Sequence, residues 1–252
     1  NGGNDEILGG DGNDNIHGGD GDDIIDGGDG DDSLGGNDGI DTVRGGAGND
    51  RIGLVPSSSI TGELIDGGDG VDTLQLEGLY LSGPITFSAA NPAIAQNLGG
   101  ATIVNIEQLS FRGSHWNDDI TGGAWNDYID GFDGNDRIDG GGGDDSLDGG
   151  SGTDTIYGGD GNDTIRGGGG ANDVLYGDGG DDTFHWNSTN ALIDGGTGID
   201  QIRVEYYSAG IDLTVNLSNP NVATTVIGTQ VIGVERLWIA GGDGNDRFTG
   251  GA

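Results

Sequence analysis

The sequence predicts an all-β fold: a parallel β-solenoid of nonapeptide repeats, broken by two strand-rich inserts. Three observations predict it. Glycines recur every nine residues, at Gly9, Gly18, Gly27, Gly36 and Gly45, and again at Gly113, Gly122, Gly131, Gly140, Gly149, Gly158 and Gly167. Counted from the glycines up to Gly158, the sixth slot is held by aspartate and the eighth by Ile, Leu or Val. Apolar residues make up only 31% of the 252-residue chain, and 59 residues are glycine, too lean a mixture for a thick hydrophobic core. A fixed period of this kind marks a repeat architecture.

A typical repeat is Gly9-Gly10-Asp11-Gly12-Asn13-Asp14-Asn15-Ile16-His17. Glycine tolerates positive φ and close backbone approach, so slots one to four are expected to form a tight turn. Slots seven to nine are expected to form a short strand with its central residue pointing inward. Two repeats then make one coil, and each strand stacks about 4.8 Å from the strand two repeats away. The eighth slot supplies a narrow inner ladder: Ile7, Ile16, Ile25, Leu34, Val43 and Ile52, then Ile120, Ile129, Ile138, Leu147, Ile156 and Ile165.

The charge is extreme. Asp plus Glu number 44 against 8 Lys plus Arg, and the formal net charge is −36. All eight positive residues are arginine. Low hydrophobicity with high net charge leaves a chain disordered unless the charge is neutralised. Phosphate backbones would be repelled, which excludes nucleic acid as a partner. Stacked turns bring Asp14, Asp32 and Asp50 together on one edge and Asp5, Asp23 and Asp41 on the other. Like charges at that spacing repel unless a cation sits between them. Carboxylates with glycine-exposed carbonyls are hard oxygen donors suited to Ca²⁺. The chain has no cysteine. His17, His115 and His185 lack ligand spacing, so zinc and copper fit poorly.

The pattern resembles the RTX, or hemolysin-type, calcium-binding repeat family. The resemblance implies a right-handed parallel β-roll, multiple Ca²⁺ ions between successive turns, and type I secretion. It implies that sixth-slot carboxylates and turn carbonyls hold the metal. Carried onto this chain, the metal ligands are Asp5, Asp14, Asp23, Asp32, Asp41, Asp50, Asp118, Asp127, Asp136, Asp145, Asp154 and Asp163, with Asp72, Asp173, Asp182, Asp200 and Asp246. The chain departs from the family pattern where Trp116 and Trp125 take the fourth slot, beside Asp118 and Asp127, and where Phe132 replaces a second-slot glycine. One extra residue between Gly167 and Tyr176 shifts the frame before Asp173, and Trp186 to Asp194 keeps only Ile193 of the pattern.

Two interruptions match each other. Gly67-Gly68-Asp69-Gly70-Val71-Asp72 and Gly195-Gly196-Thr197-Gly198-Ile199-Asp200 open them. Asn105-Ile106-Glu107-Gln108-Leu109 and Gly233-Val234-Glu235-Arg236-Leu237 close them, at a constant offset of 128 residues. Their polar–apolar alternation reads as β. The expected organisation is a repeat block over 1–75, an insert over 76–112, a second block over 113–203, a second insert over 204–240, and the start of a further block over 241–252. The inserts are poor in Asp and are expected to be structurally equivalent and to hold no calcium, with Ile106, Leu109, Val234 and Leu237 facing inward. Residues 54–62, with Pro56-Ser57-Ser58-Ser59, read as a bulging loop. The chain begins and ends inside the pattern and reads as an excerpt of a longer protein.

No catalytic motif is present: there is no His-Glu-x-x-His and no Gly-x-Ser-x-Gly. A ladder of carboxylate ligands is not a poised acid–base pair, so no enzymatic activity is expected. No apolar run reaches the length needed to span a membrane. Trp116, Trp125 and Trp186 are expected to cover coil ends or inserts rather than to form a sugar platform. The outward seventh slots mix Asn15, Ile24, Ser33, Thr42, Arg51, Asp119, Tyr128, Arg137 and Ser146, with none of the regularity an ice-binding array needs. Two functions remain. The first is a calcium-folded extracellular module with a structural or adhesive cell-surface role, its partners being calcium and copies of itself or neighbouring surface proteins. The second is the secretion and folding module of a type I-secreted hydrolase or toxin. In both, sites of the weak extracellular class, roughly 10⁻⁴–10⁻³ M, load only outside the cell.

Overall fold

The computed structural model describes residues 2–54, 60–78, 81–186, 191–205, 214–216, 224–226, 229–240 and 247–249. These residues fold into two compact units, Asn1–Ile129 and Asp130–Ala252. Every regular element among them is a strand, and no helix is long and apolar enough to cross a membrane.

In the first unit the strands are β1 (Glu6–Asp11), β2 (Asn15–Asp20), β3 (Ile24–Asp29), β4 (Ser33–Asp38), β5 (Thr42–Ala47), β6 (Arg51–Leu54), β7 (Leu64–Asp69) and β8 (Thr73–Glu77). They continue through β9 (Thr86–Ser88), β10 (Gln96–Leu98), β11 (Ala101–Val104), β12 (Gln108–Arg112), β13 (Asp119–Thr121) and β14 (Tyr128–Asp130). Odd and even strands form separate parallel sheets: β1-β3-β5-β7-β11 on one side and β2-β4-β6-β8-β12 on the other. The register follows the repeat, with Ile7 opposite Ile25, Ile25 opposite Val43, and Ile16 opposite Leu34. This is a parallel β-solenoid of two nonapeptides per coil.

The second unit repeats the arrangement. Its strands are β15 (Arg137–Gly142), β16 (Ser146–Asp148), β17 (Thr155–Asp160), β18 (Thr164–Arg166), β19 (Val174–Gly179), β20 (Thr183–Trp186), β21 (Leu192–Asp194) and β22 (Gln201–Glu205), then β23 (Thr214–Asn216), β24 (Thr224–Val226), β25 (Thr229–Ile232), β26 (Arg236–Ala240) and β27 (Arg247–Thr249). Strands β15-β17-β19-β21-β25 and β16-β18-β20-β22-β26 form its two parallel sheets. The extra residue before Asp173 is absorbed in the turn, and Thr155 pairs with Val174, one position beyond the usual spacing.

The strands differ from the expected three-residue form. Many run from slot seven to slot three, so the first two glycines belong to the strand and the turn occupies slots four to six. Burial alternates along them: slot eight and the slot-one glycine face inward, while slots seven, nine and three face out. Slot two keeps pairing although its φ is positive, as at Gly10 and Gly28. Where glycine is lost from slot two, Asn37, Phe132 and Asp178 still hold φ of 72°, 76° and 66°. The core is the slot-eight ladder, with Ile25, Val43, Ile52, Ile138, Ile156 and Ile165 all fully buried.

The inserts belong to the coils. In the first, β10 and β11 form an antiparallel hairpin, β11 stacks on β7, and β12 stacks on β8. In the second, β24 and β25 form the same hairpin, β25 stacks on β21, and β26 stacks on β22. Even the outlying pairs correspond, β9 with β13 and β23 with β27. Ile106, Leu109 and Val234 are buried as expected, whereas Leu237 is half-buried. Trp116 and Trp125 are 52% and 51% exposed. The side chain of Trp186 and the Pro56–Ser59 loop lie outside the described residues.

Candidate metal centre

The site is a ladder laid down once per nonapeptide. Along much of the ladder the peptide N–H of a sixth-slot aspartate donates to Oδ1 of the aspartate one coil on: Asp5 to Asp23 at 2.7 Å, Asp23 to Asp41 at 2.8 Å, Asp32 to Asp50 at 2.8 Å and Asp50 to Asp72 at 2.8 Å. In the second unit the bonds run Asp136 to Asp154, Asp145 to Asp163, Asp163 to Asp182 and Asp182 to Asp200, at 2.8–2.9 Å. Asp154 donates to Asp173 in the same way at 3.1 Å, so the frame shift leaves Asp173 in the ladder. A fifth-slot ladder runs the opposite way. Asn13 Oδ1 accepts from Asp31 N–H, Asp31 from Asn49 N–H, and Asn162 from Asp181 N–H.

The second carboxylate oxygen of the sixth-slot ladder is left over. Oδ2 of Asp14, Asp23, Asp32, Asp41, Asp50, Asp72, Asp136, Asp145, Asp154, Asp163, Asp173, Asp182 and Asp200 is buried and has no hydrogen-bond partner. Most of these residues are at most 3% exposed. An unsatisfied buried acceptor costs about 1–3 kcal/mol, and more for an ion. Thirteen of them weigh heavily on a domain stable by about 5–15 kcal/mol, which makes these oxygens candidate ligands for a cation.

The slot-one glycine makes room for one. A Cβ built on Gly149 would lie 2.5 Å from Asp154 Oδ2 and 2.8 Å from the carbonyl oxygen of Gly167. The same two kinds of oxygen crowd Gly18, Gly27 and Gly45 in the first unit. A lone carboxylate oxygen therefore converges with a main-chain carbonyl from the next coil. Among the described residues no three Asp, Glu or His side chains gather at one point. A cation here would be held by carboxylate and carbonyl oxygens together, a hard donor set that fits Ca²⁺.

Electrostatics point to the same strain. Burial, reinforced by stacked neighbours, pushes the Asp72, Asp154 and Asp182 carboxyls up to about 7. Burial likewise lifts Asp163 and Asp200 to about 6 and raises Asp41 and Asp50. Glu63 is raised to about 7, by burial and then by the charge of Asp41.

The candidate residues divide into groups. Asp14, Asp23, Asp32, Asp41, Asp50 and Asp72, with the seven from Asp136 to Asp200, carry the lone buried oxygen. Asp5 is only half-buried at the first coil. Asp246 lies outside the described residues. Asp118 and Asp127 are different. Ser114 N–H donates to Asp118 Oδ2, while Ile85 N–H and the Ser114 hydroxyl donate to Oδ1. Gly123 N–H and Leu109 N–H take the two oxygens of Asp127. Fourth-slot glycines such as Gly12 and Gly30 hold positive φ, a conformation strongly disfavoured for tryptophan. With Trp116 and Trp125 there, the turn changes and the second-slot N–H swings onto the carboxylate. A cation at these two turns would have to displace protein hydrogen bonds.

Three acidic residues are not visible as ladder members in the repeat spacing. Leu64 N–H donates to Asp41 O, which puts Glu63 in the sixth slot of its coil. The 54–62 loop hides this by stretching the spacing. Glu107 and Glu235 accept from Asp72 and Asp200, the place the next aspartate would take. In the coil of Trp186–Asp194 the sixth slot falls to Ala191, which is buried and offers no carboxylate.

Comparison with known families agrees with this geometry. The RTX calcium-binding nonapeptide repeat (4 copies) matches residues 1–34, 35–52, 117–147, 139–172, 168–185 and 238–252. Together these segments cover more than half of the chain. No curated protein matches it.

Proposed function

Since the chain belongs to the RTX calcium-binding nonapeptide repeat family, we propose that it is a non-catalytic, calcium-folded extracellular module with a structural or adhesive role at a cell surface. The observation that carries the calcium reading is the row of buried, unpartnered Asp Oδ2 atoms. In the calcium-poor interior of a cell the −36 chain stays loose and exportable. Outside, calcium binds the folded state alone and draws the chain into it by mass action. In this reading the repeat blocks 1–75 and 113–203 carry most of the ions, and the inserts over 76–112 and 204–240 enlarge the core between them. A role as the secretion and folding module of a type I-secreted hydrolase or toxin rests on the same ladder; a catalytic domain elsewhere in the parent chain would favour it.

Asp23→Ala and Asp26→Ala, compared by calcium titration, test the register. Asp23 is 1% exposed with an unpartnered Oδ2, whereas Asp26 is an outward ninth-slot residue of β3. Asp23→Ala is expected to lose calcium binding and Asp26→Ala to titrate as wild type. Equal losses in both would refute the ladder as the metal site.

A further inference from the structure

The repeat fixes its glycines, its sixth-slot acid and its eighth-slot apolar residue, and leaves the outward slots seven and nine free to differ. On one sheet of the second unit those slots depart from the rest of the chain. Along β16-β18-β20-β22-β26 the ninth-slot residues stand opposite one another in the order Asp148, Arg166, His185, Arg203, Trp238. Beside them the seventh slots give Ser146, Thr164, Thr183, Gln201 and Arg236. Ile165, Phe184 and Ile202, in the eighth slots between, are buried, so both rows look out. Three of the eight arginines therefore share one face of a chain whose net charge is −36. The matching ninth-slot row of the first unit reads His17, Gly35, Gly53, Gln75 and Ser110. The coil geometry by itself does not demand a basic row.

Arg166 and Arg203 sit two strands apart, roughly 10 Å at the backbone, with His185 between them. Like charges aligned across strands repel, and an anion lying along the row relieves that repulsion. Trp238 ends the row. The Arg203 guanidinium carbon lies 4.4 Å from the centroid of its ring, a cation–π contact that helps to hold the guanidinium in place. Trp238 is still 42% exposed, and Arg236 on the same strand is exposed. Each group suits one part of an acidic sugar. Guanidinium forks match carboxylates. An open indole offers a flat apolar surface to a sugar ring. Thr164, Thr183 and Gln201 offer two hydroxyls and an amide to sugar hydroxyls.

We propose that this face of the second unit binds a glycan carrying carboxylated sugars, with Arg166 and Arg203 meeting its carboxylates and Trp238 a sugar ring. The proposal rests on the calcium-folded, adhesive reading of the module and names the class of partner to which it adheres. The metal-free chain, at −36, repels anions. Calcium held in the turns cancels much of that charge, so the glycan meets the row on the loaded fold. A glycan with carboxylates on only some of its sugars is also repelled less than the dense phosphate row of a nucleic acid.

The test is calorimetric titration of the calcium-loaded chain with hyaluronate, in which alternate sugars carry a carboxylate, and with the same polymer after its carboxylates are reduced to alcohols. The expected result is that hyaluronate binds, the reduced polymer does not, and the double variant Arg166→Gln, Arg203→Gln binds hyaluronate about tenfold more weakly. Calcium bridging between the polymer and the acidic turns is the rival. Hyaluronate binding to the double variant as it does to wild type would overturn the proposal, and so would equal binding of the reduced polymer. A chain that gains a β spectrum with calcium but ignores hyaluronate overturns this proposal alone. A chain that gains no β spectrum overturns the calcium reading, and the proposal with it. Should the variant not reach the wild-type spectrum, arginine modification by phenylglyoxal on the wild-type chain decides, read by peptide mass spectrometry. Hyaluronate that shields Arg166, Arg203 and Arg236, but not the exposed Arg44 and Arg51 of the first unit, supports the proposal; equal modification with and without it overturns the proposal.

Discussion

At the scale of the residue, one aspartate does two incompatible things until a cation arrives. Its Oδ1 accepts the peptide N–H of the stacked turn, which fixes the side chain, and its Oδ2 is buried with nothing to meet it. Glycines surround it for separate reasons: slot one for space beside that oxygen, and slots two and four for positive φ. Protons can replace the cation. Asp72, Asp154 and Asp182 titrate near 7 in the fold, raised chiefly by burial, against about 3.9 in an unfolded chain. The fold therefore binds protons that the unfolded chain does not, and metal-free stability falls as pH rises from about 4 through about 7. We predict that the chain in EDTA gains β circular dichroism on going from pH 8 to pH 5; equal spectra at the two values would mean that these carboxylates do not oppose folding. The period, the inward slot-eight residues and the sixth-slot aspartates were legible in the sequence because each repeats at a fixed interval. Hydrogen-bond direction was not. Nothing in the spacing shows that Ser114 and Gly123 would close the Asp118 and Asp127 carboxylates, or that fifth-slot Asn13 and Asp31 would form a ladder of opposite sense.

At the scale of the element, the coil is the unit of packing and the insert is a coil with an excursion. A nonapeptide buries one slot-eight side chain, whereas the first insert buries Ile85, Phe87, Leu98, Ile103, Ile106, Leu109 and Phe111. Phe87 and Phe111 stack with ring centroids 6.1 Å apart. The matching phrases 128 residues apart showed that the inserts were related. They did not show that β11 and β12 would continue the parallel sheets, because the roughly 3.3 Å rise of a strand says nothing about which neighbour it joins. Glu63 was hidden for a similar reason: four additional residues carry β7 to its place opposite β5, with Leu64 against Thr42. Phe111→Ala should cost about 3–5 kcal/mol. Because calcium and packing stabilise the same folded state, that loss should raise the calcium concentration at the folding midpoint. Titration followed by circular dichroism checks it, and an unmoved midpoint would place the insert outside the cooperative fold.

At the scale of the whole molecule, charge is set by the repeat. In the second unit the sheets carry residues such as Thr155, Tyr157, Val174 and Tyr176, while the sixth-slot acids are gathered in the turns, where stacking multiplies their repulsion. A chain of net charge −36 with 31% apolar residues has little else to hold it compact. In the proposed function, folding and calcium binding are one event. The most direct measurement is far-ultraviolet circular dichroism of the chain at neutral pH, first with EDTA and then with calcium restored in excess. The account predicts a coil spectrum without calcium and a reversible return to β with it; a β spectrum that survives exhaustive chelation unchanged would contradict it.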